Sequence, residues 1–228
     1  MSATATQWKE CAQPVHTRPA NFDRLARIYR WVEWLTFGPA LRRCRCVFLE
    51  SMKASSAALV IGDGDGRFTA RLLKSNSQVR VEAIDASQAM LNELLRRAGT
   101  DAGRVNATVA DAREPISFAQ RFDLVVTHFF LDCLSTAEVE SLARNIRGKL
   151  APGARWGVSE FAVPENGYGR WFARPLVWAL YLAFGLLTGL RIRRLPRYRG
   201  ALARAGFRLT RERRWLKGLL VSEIWEAA

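Results

Sequence analysis

The chain has 228 residues, a formal net charge of +14 and an apolar residue content of 49%. This length and apolar content fit one α/β domain with a single core and exclude a repeat or low-complexity protein. The charge suits nucleic acid, an anionic membrane surface or an acidic partner. Coding bias also explains it, because arginine exceeds lysine throughout the chain.

Two features of the chain bear on its compartment. Residues 1–20 are polar and lack the apolar run of a secretion signal, so we expect a loosely ordered segment and a cytoplasmic protein. The four cysteines form no Cys-x-x-Cys pair, which indicates structural thiols and no zinc site. Cys44 and Cys46 are two residues apart on a predicted helix and should face different sides.

The first two predicted helices precede the sheet. Apolar residues recur at spacings of three and four across residues 21–35, with Asn21 as a plausible N-cap, and Gly38 and Pro39 follow. A second helix is predicted from Ala40 to about Lys53.

A glycine-rich turn then follows a short apolar strand. The strand covers Ala57 to Ile61, and a helix is predicted from Arg67 to Lys74. Between them, glycines at Gly62, Gly64 and Gly66 leave no Cβ in the way, so a ligand can lie against the backbone. The first turn of the helix adds unpaired N–H groups.

Later strands alternate with helices and end in polar residues, where open α/β sheets bind their ligands. The predicted strands are Val79–Ile84, Val105–Ala110, Phe122–His128, Arg155–Phe161, Phe207–Trp215 and Leu219–Trp225. Helices are predicted from Asp85 to about Ala98 and over Thr136–Leu150, with Thr136 as N-cap. The fold class is therefore α/β, with a Rossmann-like, seven-stranded, mostly parallel sheet between helices and a C-terminal antiparallel hairpin. We expect one domain over residues 21–228.

This series of motifs resembles the class I S-adenosylmethionine-dependent methyltransferases from about Phe22 to Glu226. The resemblance implies S-adenosylmethionine as cofactor and S-adenosylhomocysteine as product. It places the glycine turn under the methionine part of the cofactor. The other residues that it assigns to cofactor binding are Asp85 (ribose), Ala86 and Met90 (adenine faces), Asp111 with Ala112 (adenine amino group) and His128 (methyl-transfer end).

One position departs from the family pattern. The family usually has an acid two residues before the first glycine, where this chain has Val60. Asp63 and Asp65 lie inside the turn instead, and whether either replaces that acid stays open. A nicotinamide or flavin Rossmann domain is the rival interpretation, but such domains carry Gly-x-Gly-x-x-Gly, whereas these glycines are evenly spaced.

The N-terminal helix is similar to that of ubiquinone/menaquinone C-methyltransferases, through its Phe-Asp-x-x-Ala-x-x-Tyr order and the Phe-Gly at its end. In that family this segment covers the cofactor, which makes residues 21–53 a helical lid and Tyr29 a lid or substrate residue. The alternative is that Tyr29 only packs the helix on the sheet.

The residues after the fourth strand are the catalytic candidates. His128 has an unperturbed pKa near neutrality and is a candidate base for a phenol or amine acceptor, with Asp132 to orient it or to bind substrate. Phe129 is a candidate substrate residue. Alternatively, His128 packs on the cofactor through its backbone and Asp132 caps the next helix. No Gly-x-Ser-x-Gly elbow supports a hydrolase.

An apolar and basic insert is predicted over residues 164–200. Its uncharged part, Pro175–Leu190, is shorter than the roughly 20 residues of a membrane-spanning helix. A span there would also separate the last two strands from their sheet. Core or substrate cap, anionic membrane contact and subunit interface remain as alternatives.

We therefore expect a methyltransferase that acts on an apolar or aromatic small molecule, such as a quinone, lipid or natural product. One alternative is a nucleic-acid-binding or modifying protein that uses the Arg191–Arg214 patch. Another is a non-catalytic protein that binds the cofactor. Neither the oligomeric state nor the acceptor atom follows from the sequence.

Overall fold

The computed structural model describes residues 38–114, 117–118, 120–162, 167, 171 and 196–227. The predicted lid helix over residues 21–35, with Tyr29, and most of the insert lie outside the described residues. The predictions for those segments, and the domain boundaries, therefore stay predictions. Within the described ranges, no helix is long and apolar enough to cross a membrane.

The fold is built on a seven-stranded sheet with the strand order β3-β2-β1-β4-β5-β7-β6. The first five strands pair in parallel and β7 pairs antiparallel with both β5 and β6. The predicted fold class is confirmed. The strands are β1 (Ala57–Ile61), β2 (Arg80–Asp85), β3 (Val105–Val109), β4 (Phe122–His128), β5 (Leu150–Phe161), β6 (Phe207–Trp215) and β7 (Leu220–Ala227).

Helices cover both faces of the sheet. Helices α4 and α5 pack with Trp156 and Phe122 on one face, whereas α2 and α3 pack with Val60 and Leu124 on the other. The apolar stripes of these helices and the continuous apolar runs of β1 and β4 form the two halves of the core. The helices are α1 (Gly38–Cys46), α2 (Arg67–Ser75), α3 (Gln88–Ala98), α4 (Thr136–Arg147) and α5 (Tyr198–Arg204).

The helix predicted from Ala40 to Lys53 is in fact two elements. α1 ends at Cys46, and a 3-10 turn follows over Leu49–Met52. Cys44 packs with Leu219 and Leu220 near the end of the sheet, whereas Met52 packs in the core beside α2. One straight helix does not reach both places, which is why the chain bends. Cys46 packs on the same part of the core as Met52, whereas Cys44 packs with Leu219, so the two cysteines face different sides as predicted.

The N-cap of α4 also differs from the prediction. Ser135, not Thr136, is the cap: its hydroxyl accepts the N–H of Glu138 over 3.3 Å, and Glu138 in turn accepts the N–H of Ser135 over 2.7 Å. This reciprocal capping box fixes the start of the helix. It also overturns the reading of Asp132 as the cap. The helix ends at Arg147, because β5 begins at Leu150 rather than Arg155.

Candidate active site

The glycine turn follows β1 in a conformation that side chains rarely adopt. Gly62, Gly64 and Gly66 have φ angles of +68°, +58° and +75°. Each residue with a Cβ is strained in this left-handed region, so the backbone itself requires glycine. The alternation of glycines in the sequence is therefore explained by the path of the chain.

Two of these glycines are also required by packing. A Cβ on Gly62 would lie 2.4 Å from Cδ2 of Phe130, and a Cβ on Gly66 would lie 2.6 Å from Cγ of Leu94. Phe130 follows β4, and Leu94 belongs to α3. These two glycines thus let the turn contact the loop after β4 and the next helix.

Gly64 differs from its neighbours because space surrounds it. The nearest atom to a Cβ placed there is Sδ of Met90, at 4.0 Å. The N–H of Gly64 lies near the Asp85 carboxylate at the end of β2 and lowers the pKa of that carboxyl. Gly64, Asp85 and Met90 therefore lie close together, and their role as one ligand site stays a prediction.

Asp85 is held in place by local hydrogen bonds. The N–H of Ser87 donates to its carboxylate over 2.9 Å, and the Ser87 hydroxyl caps α3 by accepting the N–H of Met90. Burial raises the pKa of Asp85 to about 6, against the effect of the Ser87 and Gly64 hydrogen bonds. Ala86 beside it is exposed. Asp85 is thus fixed in position and ready to accept hydrogen bonds from hydroxyl groups.

Asp63 stabilises the start of α2. Its carboxylate accepts the N–H groups of Phe68 and Thr69 over 3.4 and 2.8 Å and the Thr69 hydroxyl over 2.8 Å. Burial raises the pKa of Asp63, whereas the Thr69 hydrogen bonds and the charge of Arg45 lower it. An acid at this place in the turn therefore has a structural role as a helix cap.

The methyltransferases that the sequence resembles usually carry an acid two residues before the first glycine of the turn. This chain has Val60 at that position. Val60 is 1% exposed and packs in the core. Asp65 pairs with Arg67 and Arg97, each over 3.0 Å, and so ties the turn to α3. Among the described residues, the contacts of Asp63 and Asp65 are structural, and whether either acid replaces the missing one stays open.

Asp111, the acid that the resemblance assigns to adenine, lies just after the end of β3. The Arg113 guanidinium hydrogen-bonds to Asp111 over 2.9 and 3.0 Å, and this pair lowers the pKa of Asp111. Asp111 is partly exposed, whereas the Ala112 methyl group is buried in the core. Ala112 therefore has only its backbone to offer a ligand. The assignment of both residues to adenine stays a prediction.

His128 ends β4, the strand next to β1. Its side chain is 5% exposed, and neither ring nitrogen has a hydrogen-bond partner among the described residues. The ring packs edge-on against Phe68, with 4.6 Å between the ring centroids. Burial lowers the pKa of His128 well below its usual range, and the charge of Arg45 lowers it further. A neutral imidazole with two unpartnered nitrogens therefore lies beside the glycine turn, where a ligand would supply partners.

Phe129 turns the chain sharply after His128. It has a φ of +55°, and its N–H donates to the carbonyl of Ser159 over 2.7 Å. Its ring lies 5.1 Å from that of Phe161 and 5.1 Å from the guanidinium carbon of Arg45. The strained backbone at this residue is held by the strand pairing and the ring contacts.

Glu160 is a site residue that the sequence reasoning missed. It is 1% exposed, and its Oε1 accepts the N–H groups of Phe130 and Leu131 over 3.1 and 2.8 Å. Its other carboxyl oxygen has no partner among the described residues. Burial raises the pKa of Glu160 well above its usual range, and the carboxyl of Asp132 raises it further. The rule that singled out Asp85, a polar residue at the carboxyl end of a strand, also applies to Glu160.

Asp132 does not act on His128 through a hydrogen bond, because both imidazole nitrogens are unpartnered within the described ranges. It is buried in the 3-10 turn Leu131–Cys133, and the Cys133 thiol contacts its carboxylate at 3.5 Å. A role in substrate binding stays a prediction. No cluster of three or more His, Cys, Asp or Glu side chains suited to a metal ion occurs in the described part of the chain.

Comparison with known proteins agrees with this geometry. Residues 59–156 match a family model described as a methyltransferase domain. An O-methyltransferase of Aspergillus niger is 35% identical over 83 residues, which cover 33% of this chain and 43% of the relative. The matched segment runs from β1 into β5 and contains the glycine turn, Asp85 and His128. The cofactor of such methyltransferase domains is S-adenosylmethionine, and Gly64, Asp85 and the unpartnered His128 nitrogens fit a ligand of that kind.

Solved structures show the same fold at low sequence identity. An O-methyltransferase family protein from Burkholderia thailandensis has a TM-score of 0.70 and 15% identity, over 92% of this chain and 61% of that one. The N-methyltransferase NodS of Bradyrhizobium japonicum, in complex with S-adenosylhomocysteine, has a TM-score of 0.58 and 18% identity, over 84% and 88%. The chain thus covers less than two thirds of the Aspergillus and Burkholderia proteins. The quinone-methyltransferase resemblance of residues 21–37 stays a prediction.

Proposed function

We propose that the protein transfers the methyl group of S-adenosylmethionine to a hydroxyl group of an apolar or aromatic small molecule. The single observation that carries this proposal is the buried, neutral His128 with two unpartnered ring nitrogens beside the glycine turn. The fungal relative that is named as an O-methyltransferase supports oxygen as the acceptor atom.

The chemistry needs a positioned methyl group and a base. S-adenosylmethionine, when bound, supplies an electrophilic methyl group on a sulfonium. His128 would take the proton of the acceptor hydroxyl as its oxygen is methylated, because both nitrogens of the neutral imidazole lack a partner among the described residues. Gly64, Asp85 and Met90 would hold the cofactor, with Ala86 and Asp111 nearer to adenine. Proximity to the positioned acceptor provides most of the rate enhancement.

An apolar acceptor is supported by the surroundings of His128. Phe129 and Phe161 continue an apolar cluster at the same edge of the sheet, together with Leu41, Trp215, Leu219 and Leu220. Aromatic walls favour flat apolar ligands. The predicted contributions of Tyr29 and the insert belong to the same proposal.

The test is a transfer assay with methyl-labelled S-adenosylmethionine and a cell extract of the source. The proposal predicts that label enters the organic phase in a product with a new methyl ether. Label in nucleic acid or in water-soluble material alone contradicts an apolar acceptor. Absence of transfer despite tight binding of S-adenosylhomocysteine would leave a non-catalytic binding protein.

The role of His128 is tested separately, once an acceptor is known. His128→Asn should lower kcat by about 10²–10⁴-fold without changing the affinity for S-adenosylhomocysteine. For a phenolic acceptor the defect should shrink as the pH approaches about 10, because the hydroxyl then ionises without help. An unchanged kcat would assign His128 to packing only.

Contact with an anionic membrane surface is a second part of the proposal. Arg208, Arg211 and Arg213 are exposed on edge strand β6 and form no ion pair within the described ranges. Leu216 at the tip of the hairpin is 45% exposed. A basic surface beside an exposed aliphatic side chain suits acidic headgroups. Flotation with phosphatidylglycerol vesicles, but not with phosphatidylcholine vesicles, is expected, and equal flotation or none contradicts it.

The nucleic-acid alternative loses support from the pairing of other arginines in the predicted patch. Arg199 and Arg214 pair with Glu212, and Arg204 pairs with Glu140 over 2.8 Å. These guanidinium groups are already engaged by carboxylates of the chain. The charge of this region is therefore smaller than its arginine content indicates.

A further inference from the structure

Arg45 lies where helix α1 meets the candidate active site. Leu41 and Cys44 point from α1 into the apolar cluster around Leu219. Because successive helix residues are about 100° apart, Arg45 lies on the flank of the helix next to this buried side. Its guanidinium carbon is 5.1 Å from the centroid of the Phe129 ring, a cation–π distance that places it beside the end of β4.

The charge of Arg45 acts on both sides of the site. It favours the ionised form of Asp63 in the glycine turn and disfavours protonation of His128 at the end of β4. β1 and β4 are adjacent and pair as far as Ile61 and Thr127, so these two groups follow neighbouring strands at the carboxyl edge of the sheet. Arg45 is half-buried, and its contact with Phe129 places it at this edge.

The amino-acid end of the cofactor carries a carboxylate and an ammonium group. This class usually offers an acid before the glycine turn, but Val60 stands there and packs in the core. The Asp63 carboxylate is engaged by Thr69. Arg45 supplies a cation next to the turn, and a cation suits the carboxylate of the ligand.

We propose that Arg45 binds the α-carboxylate of the methionine part of S-adenosylmethionine and S-adenosylhomocysteine. The inference rests on the proposed function, since it needs that cofactor. A guanidinium group binds a carboxylate through two parallel N–H donors, and the Phe129 ring beside it restricts its orientation. Arg45 would then bind the methionine end of the cofactor, where Val60 stands in place of the usual acid.

The test compares two ligands by calorimetry: S-adenosylhomocysteine and 5′-deoxy-5′-(3-aminopropylthio)adenosine, which lacks only the carboxylate. Arg45→Met should weaken S-adenosylhomocysteine at least tenfold and leave the affinity for the second ligand within about twofold. Arg45→Lys should recover part of the lost affinity, because it keeps the charge but not the planar fork. Arg43→Met is the matched control, an exposed arginine of the same helix, and should change neither affinity.

Three results overturn the inference. Equal weakening of both ligands by Arg45→Met would show a structural role, and no weakening of either would show no role. If wild-type protein binds neither ligand, the proposed function fails together with the inference. Retained binding of the carboxylate-free ligand by Arg45→Met also shows that the variant is folded, so loss of structure is not mistaken for loss of the contact.

Discussion

The ring of Phe130 occupies the space in which a side chain at Gly62 would lie, with 2.4 Å between Cδ2 of the ring and the position of a Cβ. The contact joins the turn after β1 to the loop after β4, so the two halves of the candidate site pack directly against each other. Substitution at either residue reports on this junction.

Gly62→Ala should lower the free energy of unfolding by about 2–4 kcal/mol, because it adds a clash with Phe130 to the strain of a positive φ. Urea denaturation measures the change. In the double variant Gly62→Ala/Phe130→Ala, the effects should be less than additive, because the clash is gone. Full additivity would show that the two residues do not compete for space.

Gly64→Ala should cost some stability through its positive φ, without a steric clash, and should weaken S-adenosylhomocysteine at least tenfold. The open space at this glycine accepts a methyl group when no ligand is bound, and the same methyl group would meet a ligand on the backbone. Gly99→Ala is the matched control, since Gly99 has a φ of +59° and no atom within 4 Å of an added Cβ. Both variants should lose some stability, because each replaces a glycine that has a positive φ. An equal loss of affinity in both would remove Gly64 from the site.

Asp85 should make the apo protein less stable as the pH rises. Its pKa is about 6 in the folded state and near 3.8 in the unfolded state. A raised pKa contributes stability that is present below pH 3.8 and is lost as the pH rises through 6. Asp85→Asn lacks this titration, so it should gain about 2–3 kcal/mol on wild type between pH 4 and pH 7 in urea denaturation. Parallel stability profiles for the two proteins would contradict this assignment.

Glu160 should matter to the fold as a hydrogen-bond acceptor rather than as a charge. Glu160→Ala leaves the N–H groups of Phe130 and Leu131 buried without a partner and should cost about 2–5 kcal/mol in the free energy of unfolding. Glu160→Gln keeps an acceptor oxygen and should stay within about 1 kcal/mol of wild type at pH 7. A large loss in Glu160→Gln would show that the carboxyl proton or charge is required.

Local patterns in the sequence predicted the sheet well because segments rich in apolar and β-branched residues alternate with turn residues and helical segments along the chain. β1 and β4 have the predicted bounds, and the strand series placed Asp85, Gly64 and Met90 at one edge. The break in the helix after Cys46 was not predictable in this way. It depends on where Met52 finds room beside Gly157, which is a contact between distant parts of the chain.

Arg45 and Glu160 escaped the sequence reasoning for a related reason. Arg45 is one of several arginines on a short helix, and only the packing of Cys44 decides which of them faces the site. Glu160 looks like a solvent-exposed acid until β7 covers it, with Val221 opposite in the antiparallel register. Burial created by tertiary pairing, rather than residue type, singles out these two side chains.

The attachment of α1 to the last strand has a consequence for synthesis of the chain. The Ser222 hydroxyl donates to the carbonyl of Cys44 over 2.8 Å, and the Cys44 thiol lies 3.1 Å from the same hydroxyl, across a separation of 178 residues. On the ribosome, α1 therefore lacks a large part of its docking surface until β7 has emerged. The half-sheet from β1 to β4 can form earlier, but α1 reaches its final packing only after β7 has been synthesised. A nascent chain arrested before β7 should hence be protease-sensitive at α1 while its glycine turn is already protected.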